Sequence, residues 1–269
     1  MIIIGEKING AIPVVGRAIA ARDAEFIKAR AIAQFEAGSH YIDCAPSTSP
    51  EVEYETMVWL IDVIQGVVDT PISIDSPDAS LLKRIVDEGL VKKPGLVNSV
   101  NEEGIKCETL FPIIAGTDWN VIGLTCDQHG IPADTGKKVD IAKRMINKAH
   151  RFGVKLSNFH IDPCVMALST CASSMVDFEE CAKAIREYCP EVKITGAISN
   201  ISFEMPARKY VNYAAMSYAI AAGLDSAICD PCDRDMMGTI YASEALRMLD
   251  NGGRKYNRAY RQGRFGIKK

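Results

Sequence analysis

Short apolar runs alternate with amphipathic stretches about eight times along this chain. Strand-like runs fall near residues 2–4, 40–43, 72–75, 95–98, 120–124, 158–161, 193–198 and 225–229. After them, apolar positions recur at helical spacing near 16–37, 51–67, 78–89, 103–116, 136–152, 173–188, 207–222 and 235–250. A period near 3.6 buries one stripe of a helix, whereas a short continuous apolar run suits a strand covered on both faces. Gly38, Gly89 and Gly153 close three of the helical stretches, where a left-handed residue ends a helix at low cost. Eight strand–helix units without a break in composition predict an α/β fold, a TIM (β/α)8 barrel, with residues 1–269 as one domain.

Four polar clusters sit where apolar runs end: Ser73-Ile74-Asp75-Ser76, Val97-Asn98-Ser99, His160-Ile161-Asp162-Pro163 and Ile198-Ser199-Asn200. Asp and Asn are poor strand formers, so their recurrence at strand ends points to a shared purpose. In an eight-fold barrel the C-terminal strand ends form the active-site rim. That rule places Glu6 and Asn9 after the first strand, Asp43 after the second, Asp75 after the third and Asn98 after the fourth. Thr125 and Asp127, Asp162, Asn200 and Asp230 follow the remaining four. Asp78 and Ser80 read as caps of the next helix, but Asp75 lies too early to be one. His160 has the parity of Asp162 and reads equally as barrel lining or packed core. Trp59 and Trp119 read as packing residues.

Composition narrows the partners. Of 269 residues 48% are hydrophobic and 24% charged, as in a globular protein with a large core. A net charge of −3 gives no electrostatic footprint for nucleic acid. No apolar run reaches the ~20 residues of a membrane span and no leader pattern opens the chain, so a cytoplasmic protein is expected. The basic segment Arg254–Lys269 reads as a solvated tail. Nine cysteines at irregular spacings read as reduced core residues. Cys229 and Cys232 lack the second ligand pair of a zinc site, so no bound metal is expected. No glycine-rich dinucleotide fingerprint or phosphate loop is present.

Taken in order, several segments resemble the methyltetrahydrofolate:corrinoid methyltransferases, members of the pterin-binding barrel superfamily. They are the opening Ile3-Ile4-Gly5-Glu6-Lys7-Ile8-Asn9-Gly10, Tyr41-Ile42-Asp43, the helix Glu53 to Leu60, Val97-Asn98-Ser99 and Ile122-Gly123-Leu124-Thr125. His160 to Pro163, Ile198 to Ser202 and Gly223 to Ile228 complete the series. The resemblance implies that Asp75, Asn98 and Asp162 hold the pterin ring of tetrahydrofolate or 5-methyltetrahydrofolate. It implies that Asn200, beside Ser199, bonds at N5, and that Arg208 lies near the folate tail. Glu6, Asn9 and Asp43 match the rim. Asn200 and Asp75 are the expected catalytic groups, with one or the other organising a water that carries the proton.

The residue chemistry agrees with that assignment. A carboxylate accepts the side-by-side N3–H and exocyclic amine of a reduced pterin as a bidentate pair, and a carboxamide both donates and accepts. The resemblance further implies a homodimer and a separate corrinoid protein that carries cobalamin. Asp127-Gln128-His129 opens like a cobalt-ligating loop, but Pro132 stands where that loop needs glycine, so this chain is not expected to carry the corrinoid. Cys44 and Cys126 depart from the acetogenic members and favour transfer from methylcorrinoid to tetrahydrofolate. Two alternatives are weighed: a dihydropteroate synthase-like enzyme, which would need basic groups for a pyrophosphate, and a non-catalytic folate-binding module.

Overall fold

The computed structural model describes residues 1–267. Its strands are β1 (Ile2–Asn9), β2 (Tyr41–Ala45), β3 (Ile72–Asp75), β4 (Leu96–Glu102), β5 (Asn120–Asp127), β6 (Phe159–Asp162), β7 (Lys193–Ile194) and β8 (Ser226–Cys229). Around them lie α1 (Pro13–Ala20), α2 (Ala24–Ala37), α3 (Pro50–Gln65), α4 (Ala79–Asp87), α5 (Lys106–Ile114), α6 (Thr135–Phe152), α7 (Ser174–Tyr188), α8 (Arg208–Ala221), α9 (Arg234–Leu246) and α10 (Arg254–Arg261). All ladders are parallel, in the order β7-β6-β5-β4-β3-β2-β1-β8. The seam between β7 and β8 is closed by Asp225 N donating to Ile194 O at 2.9 Å and Ile228 N to Gly196 O at 3.1 Å. The predicted barrel is the fold.

Strand alternation sorts the side chains into two environments. One parity (Ile3, Ile42, Cys44, Ile72, Ile74, Val97, Val121, Phe159, Ile161) faces the helices and packs with Met57, Leu60, Leu82, Phe111, Met145 and Phe178. The other faces the barrel axis, where Ile4, Leu96 and Ile122 form a small inner layer with Ile2, Tyr41, Leu124 and Ile228. His160 lies in this interior. Its Nδ1 meets Ser226 Oγ at 2.7 Å and its Nε2 meets Asn120 Oδ1 at 3.1 Å. Burial pushes its pKa down to about 3, so it is a neutral core residue.

Four expectations are corrected. The helix expected over 16–37 is two, because Arg22 turns left-handed at φ 52° and Asp23 starts α2 by accepting from Phe26 N at 3.1 Å. Of the caps expected on α4, Asp78 is one, its carboxylate accepting from Ser80 N at 2.8 Å, while Ser80 itself lies inside the helix. The seventh strand stops at Ile194, and its expected end is a 3-10 turn, Ile198–Ser202. The C-terminal segment is not a solvated tail. Its charged residues Arg254, Arg258 and Arg261 face outward while Ala259 and Phe265 are buried, Phe265 among Tyr241, Tyr256 and Tyr260. Arg234 holds this end by donating to the carbonyls of Phe265 at 3.1 Å and Gly266 at 2.8 Å. Lys268 and Lys269 lie outside the described residues.

Candidate active site

Two bulges shape the C-terminal mouth of the barrel. Along β1 and β2, Gly5 pairs with Ile42 but Ile8 pairs with Cys44, so β1 spends one extra residue at Glu6-Lys7. Strict alternation from Ile3 would turn Ile8 inward, yet Ile8 lies in the outer core. The extra residue therefore directs both Glu6 and Lys7 to the mouth. The Lys7 N–H that the bulge frees donates to the buried Gln34 Oε1 at 2.9 Å, and Lys7 Nζ reaches Asp230 Oδ2, past the end of β8, at 3.1 Å. In β4 the step from Asn98–Ile122 to Val100–Gly123 absorbs Ser99 in the same way. Asn98 thus keeps the axis-facing parity while Val100 returns to the outer core.

Carboxyl groups fill this mouth in two levels. Asp43 is level with Ser73, whereas Asp75 is level with Asn98 one step higher. Asp43 is 2% exposed and accepts from Ser73 Oγ at 2.5 Å and Asn98 Nδ2 at 3.4 Å. It lies beneath the mouth and fixes which way the Asn98 amide faces. Burial pushes the Asp43 pKa up to about 6 despite those donors. Asp75 is raised well above the usual carboxylate range, first by burial and then by the Asp43 charge, and it hydrogen-bonds to Asp43. Two carboxyls this close share a proton, and Asp75 is the one that holds it.

Asp162 stands across the mouth on β6. It is buried, its Oδ1 accepts from Cys164 N at 2.7 Å, and burial lifts its pKa to about 6. The nearby backbone N–H of Ala197 favours its ionised form without offsetting the cost of burial. Asn200 sits in the 3-10 turn, half-buried, with no side-chain hydrogen bond among the described residues. It does not cap α8, whose N-cap is Ala207. Arg208, the first residue of α8, folds back over this turn. Its Nε donates to Ser202 Oγ at 2.9 Å and its Nη2 to Ser199 O at 3.0 Å, while the guanidinium stacks on Phe203 at 4.8 Å. Ser199 thus enters through its carbonyl, and Arg208 braces the segment that presents Asn200.

The remaining candidates have structural partners. Asn9 Oδ1 accepts from Ala11 N at 2.8 Å and Ser47 Oγ at 3.1 Å, joining two rim loops. Thr125, inside β5, donates to Asp162 O at 3.1 Å, and Asp127 closes its own turn by accepting from His129 N at 2.8 Å. Cys44 packs outward against Met57, whereas Cys126 is buried beside Asn101 and close enough to Asp162 to feel its charge. Cys229 is buried and Cys232 exposed. Among the described residues no group of three or more His, Cys, Asp and Glu side chains comes together around a metal position. Sequence reasoning missed two buried supports. Glu53 on α3 accepts from Ser76 Oγ at 2.7 Å, holding the residue after Asp75. Lys138 on α6 donates to Cys164 O at 3.2 Å beside Asp162. The usable signal was a charged residue on the apolar stripe of each helix.

Buried and half-buried carboxyl and carboxamide groups thus gather at the barrel mouth, an arrangement rich in hydrogen-bond acceptors. Residues 16–230 match the pterin binding enzymes, and the chain belongs to that family. Over 268 residues it is 49% identical to the methylcorrinoid:tetrahydrofolate methyltransferase of Eubacterium limosum, covering 99% of this chain and 98% of that protein. It is 36% identical over 172 residues to the methionine synthase of Mycobacterium tuberculosis, covering 59% of this chain but 14% of that protein. The dihydropteroate synthase of Xanthomonas albilineans, solved with 7,8-dihydropteroate, superposes with a TM-score of 0.64 at 16% identity, covering 93% and 94% of the two chains. That last likeness is one of fold. Among the described residues no helix is long and apolar enough to cross a membrane.

Proposed function

We propose that this chain is a corrinoid-dependent tetrahydrofolate methyltransferase. It takes a methyl group from a methylcorrinoid held by a separate protein and places it on N5 of tetrahydrofolate, giving 5-methyltetrahydrofolate. The observation that carries this reading is the end-to-end identity of 49% to an enzyme named for that reaction. The mouth geometry supports it, because the donor and acceptor pattern fits a reduced pterin.

In this reading Asp162 accepts the N3–H and exocyclic amine of the ring, which favour its ionised form and offset the cost of burying it. Asn98, oriented by Asp43, presents its carbonyl and second amide proton to the ring's remaining polar edge. Asp75 offers a proton that Asp43 shares. Asn200, free of other partners and braced by Arg208, contacts N5 and tracks the charge that changes there. The exposed Arg208 guanidinium and the Asn9 side of the rim face the anionic folate tail. The cobalt belongs to the second substrate. By family resemblance the working form is a cytoplasmic homodimer, and light scattering tests the dimer.

A single-turnover assay with methylcobalamin and tetrahydrofolate tests the activity. Formation of 5-methyltetrahydrofolate at the rate of methylcobalamin loss is expected. Tight folate binding without methyl transfer in either direction would leave only a binding module.

A further inference from the structure

The carboxyl groups of the mouth are not equivalent once their partners are counted. Asp162 is engaged by the N–H group of Cys164. Asp43 is engaged by Ser73 and Asn98, and Asp75 by Asp43. Asp230 pairs with Lys7 and accepts from Cys232 N at 2.9 Å. Glu6 alone among these five has no hydrogen bond to the protein among the described residues, although the β1 bulge turns it into the mouth. A half-buried carboxylate without a partner is costly, and a bulge that imposes it on a site is a functional device rather than a packing solution.

We propose that Glu6 is the proton acceptor for N5 when tetrahydrofolate is methylated, and the proton donor to N5 in the reverse direction. This rests on the methyltransferase reading above. In the forward step the N5 lone pair forms the new bond to the methyl carbon. The electron pair of the broken methyl–cobalt bond remains with the corrinoid. N5 then carries a methyl group, a proton and a positive charge, and the N–H bond pair returns to nitrogen as the proton passes to a Glu6 oxygen. No other co-reactant is needed.

The electrostatic setting supports the role. Glu6 faces Asp230 beyond β8, Lys7 on its own strand, Asp43 on β2 and Arg208 at the start of α8. Burial first, and Asp230 second, lift its pKa from 4.5 to about 6. It is thus mostly ionised and able to accept at neutral pH, yet basic enough to take a proton from an ammonium. Asp75 is unsuited to that task because it already holds the proton it shares with Asp43.

The test is Glu6→Gln, beside Glu6→Asp, with tetrahydrofolate and methylcobalamin as the actual substrates. Calorimetry gives the Kd for tetrahydrofolate, and single-turnover rates are taken from pH 5 to 8. We expect Glu6→Gln to bind tetrahydrofolate within about threefold of wild type while its rate at pH 7 falls on the order of 10²-fold. The wild-type rate should rise through pH 6 and level off, and that limb should vanish in Glu6→Gln. Glu6→Asp, with a shorter carboxylate, should keep the limb at a reduced rate, which preserves the test if the Gln variant folds poorly. An unchanged rate and limb in Glu6→Gln overturns the proposal, as does a raised Kd with unchanged rate. If Gln is unfolded, a wild-type rate in Glu6→Asp overturns it. An inactive wild type would instead refute the methyltransferase reading itself.

Discussion

Replacing Asp162 by Asn should stabilise the folate-free protein while crippling folate binding. The carboxyl is buried, and its pKa rises from 3.8 to about 6 on folding, mainly through desolvation. A carboxyl raised in the folded state binds protons more tightly there, so the folded state loses stability as pH climbs from 3.8 to about 6. Below 3.8 the cost is absent, and above 6 it is fully present. Two pKa units and a fraction, at 1.36 kcal/mol each, place that cost on the order of 3 kcal/mol at pH 7.5. Asn removes the charge and can still accept from Cys164 N, but as a neutral acceptor it does so more weakly, at a cost of about 1 kcal/mol. The net gain is about 2 kcal/mol, or roughly 5 °C in Tm for a chain of this size. Melting curves at pH 7.5 and pH 4 check this: the variant should be the more stable at 7.5, with the gain gone at 4. Tetrahydrofolate affinity should fall by about 2–4 kcal/mol, roughly 30- to 1,000-fold, because a neutral amide cannot accept both pterin donors. A variant less stable at pH 7.5, or one with wild-type affinity, would refute the reasoning.

Two further outcomes are expected. Asp75→Ala should weaken tetrahydrofolate binding by about 2–4 kcal/mol and raise the pKa of Asp43 further, since the proton that Asp75 offers to the Asp43 carboxylate is gone. Calorimetry with wild-type affinity would remove Asp75 from the site. Phe265→Ala should cost about 3–5 kcal/mol, because it empties a buried ring position among three tyrosines. Urea unfolding within about 0.5 kcal/mol of wild type would restore the solvated-tail view.

Barrel and mouth were legible in the chain because several apolar runs end in a polar side chain of the axis-facing parity, as at Asp43, Asp75, Asn98 and Asp162. Asp75, Asn98 and Asp162 are on the mouth as expected, each at the end of a strand that obeys alternation up to that point. The β1 bulge was not legible, since one inserted residue leaves the local pattern Ile-Gly-Glu-Lys-Ile intact and shows only in pairing to β2. Asn200 directly follows a strand if that strand runs to Ile198, yet β7 stops at Ile194 and Asn200 sits in the 3-10 turn Ile198–Ser202. The basic tail misled for a different reason. Charge dominated its composition, while the aromatic residues at helical spacing (Tyr256 and Tyr260) decided how it packs. Asp43 shows the limit of rim arguments: it has the right parity but sits one level too low to face a ligand directly.

The most direct test of the account is Asn200→Ala, with kcat, tetrahydrofolate Kd and Tm taken on the same protein. Asn200 is half-buried at the mouth, unbonded within the chain and not a helix cap, so its removal should barely move Tm. If it stabilises the charge change at N5, kcat should fall on the order of 10²-fold or more while Kd rises only a few-fold. A lowered melting point with unchanged kcat would contradict the claim that methyl transfer takes place at this mouth.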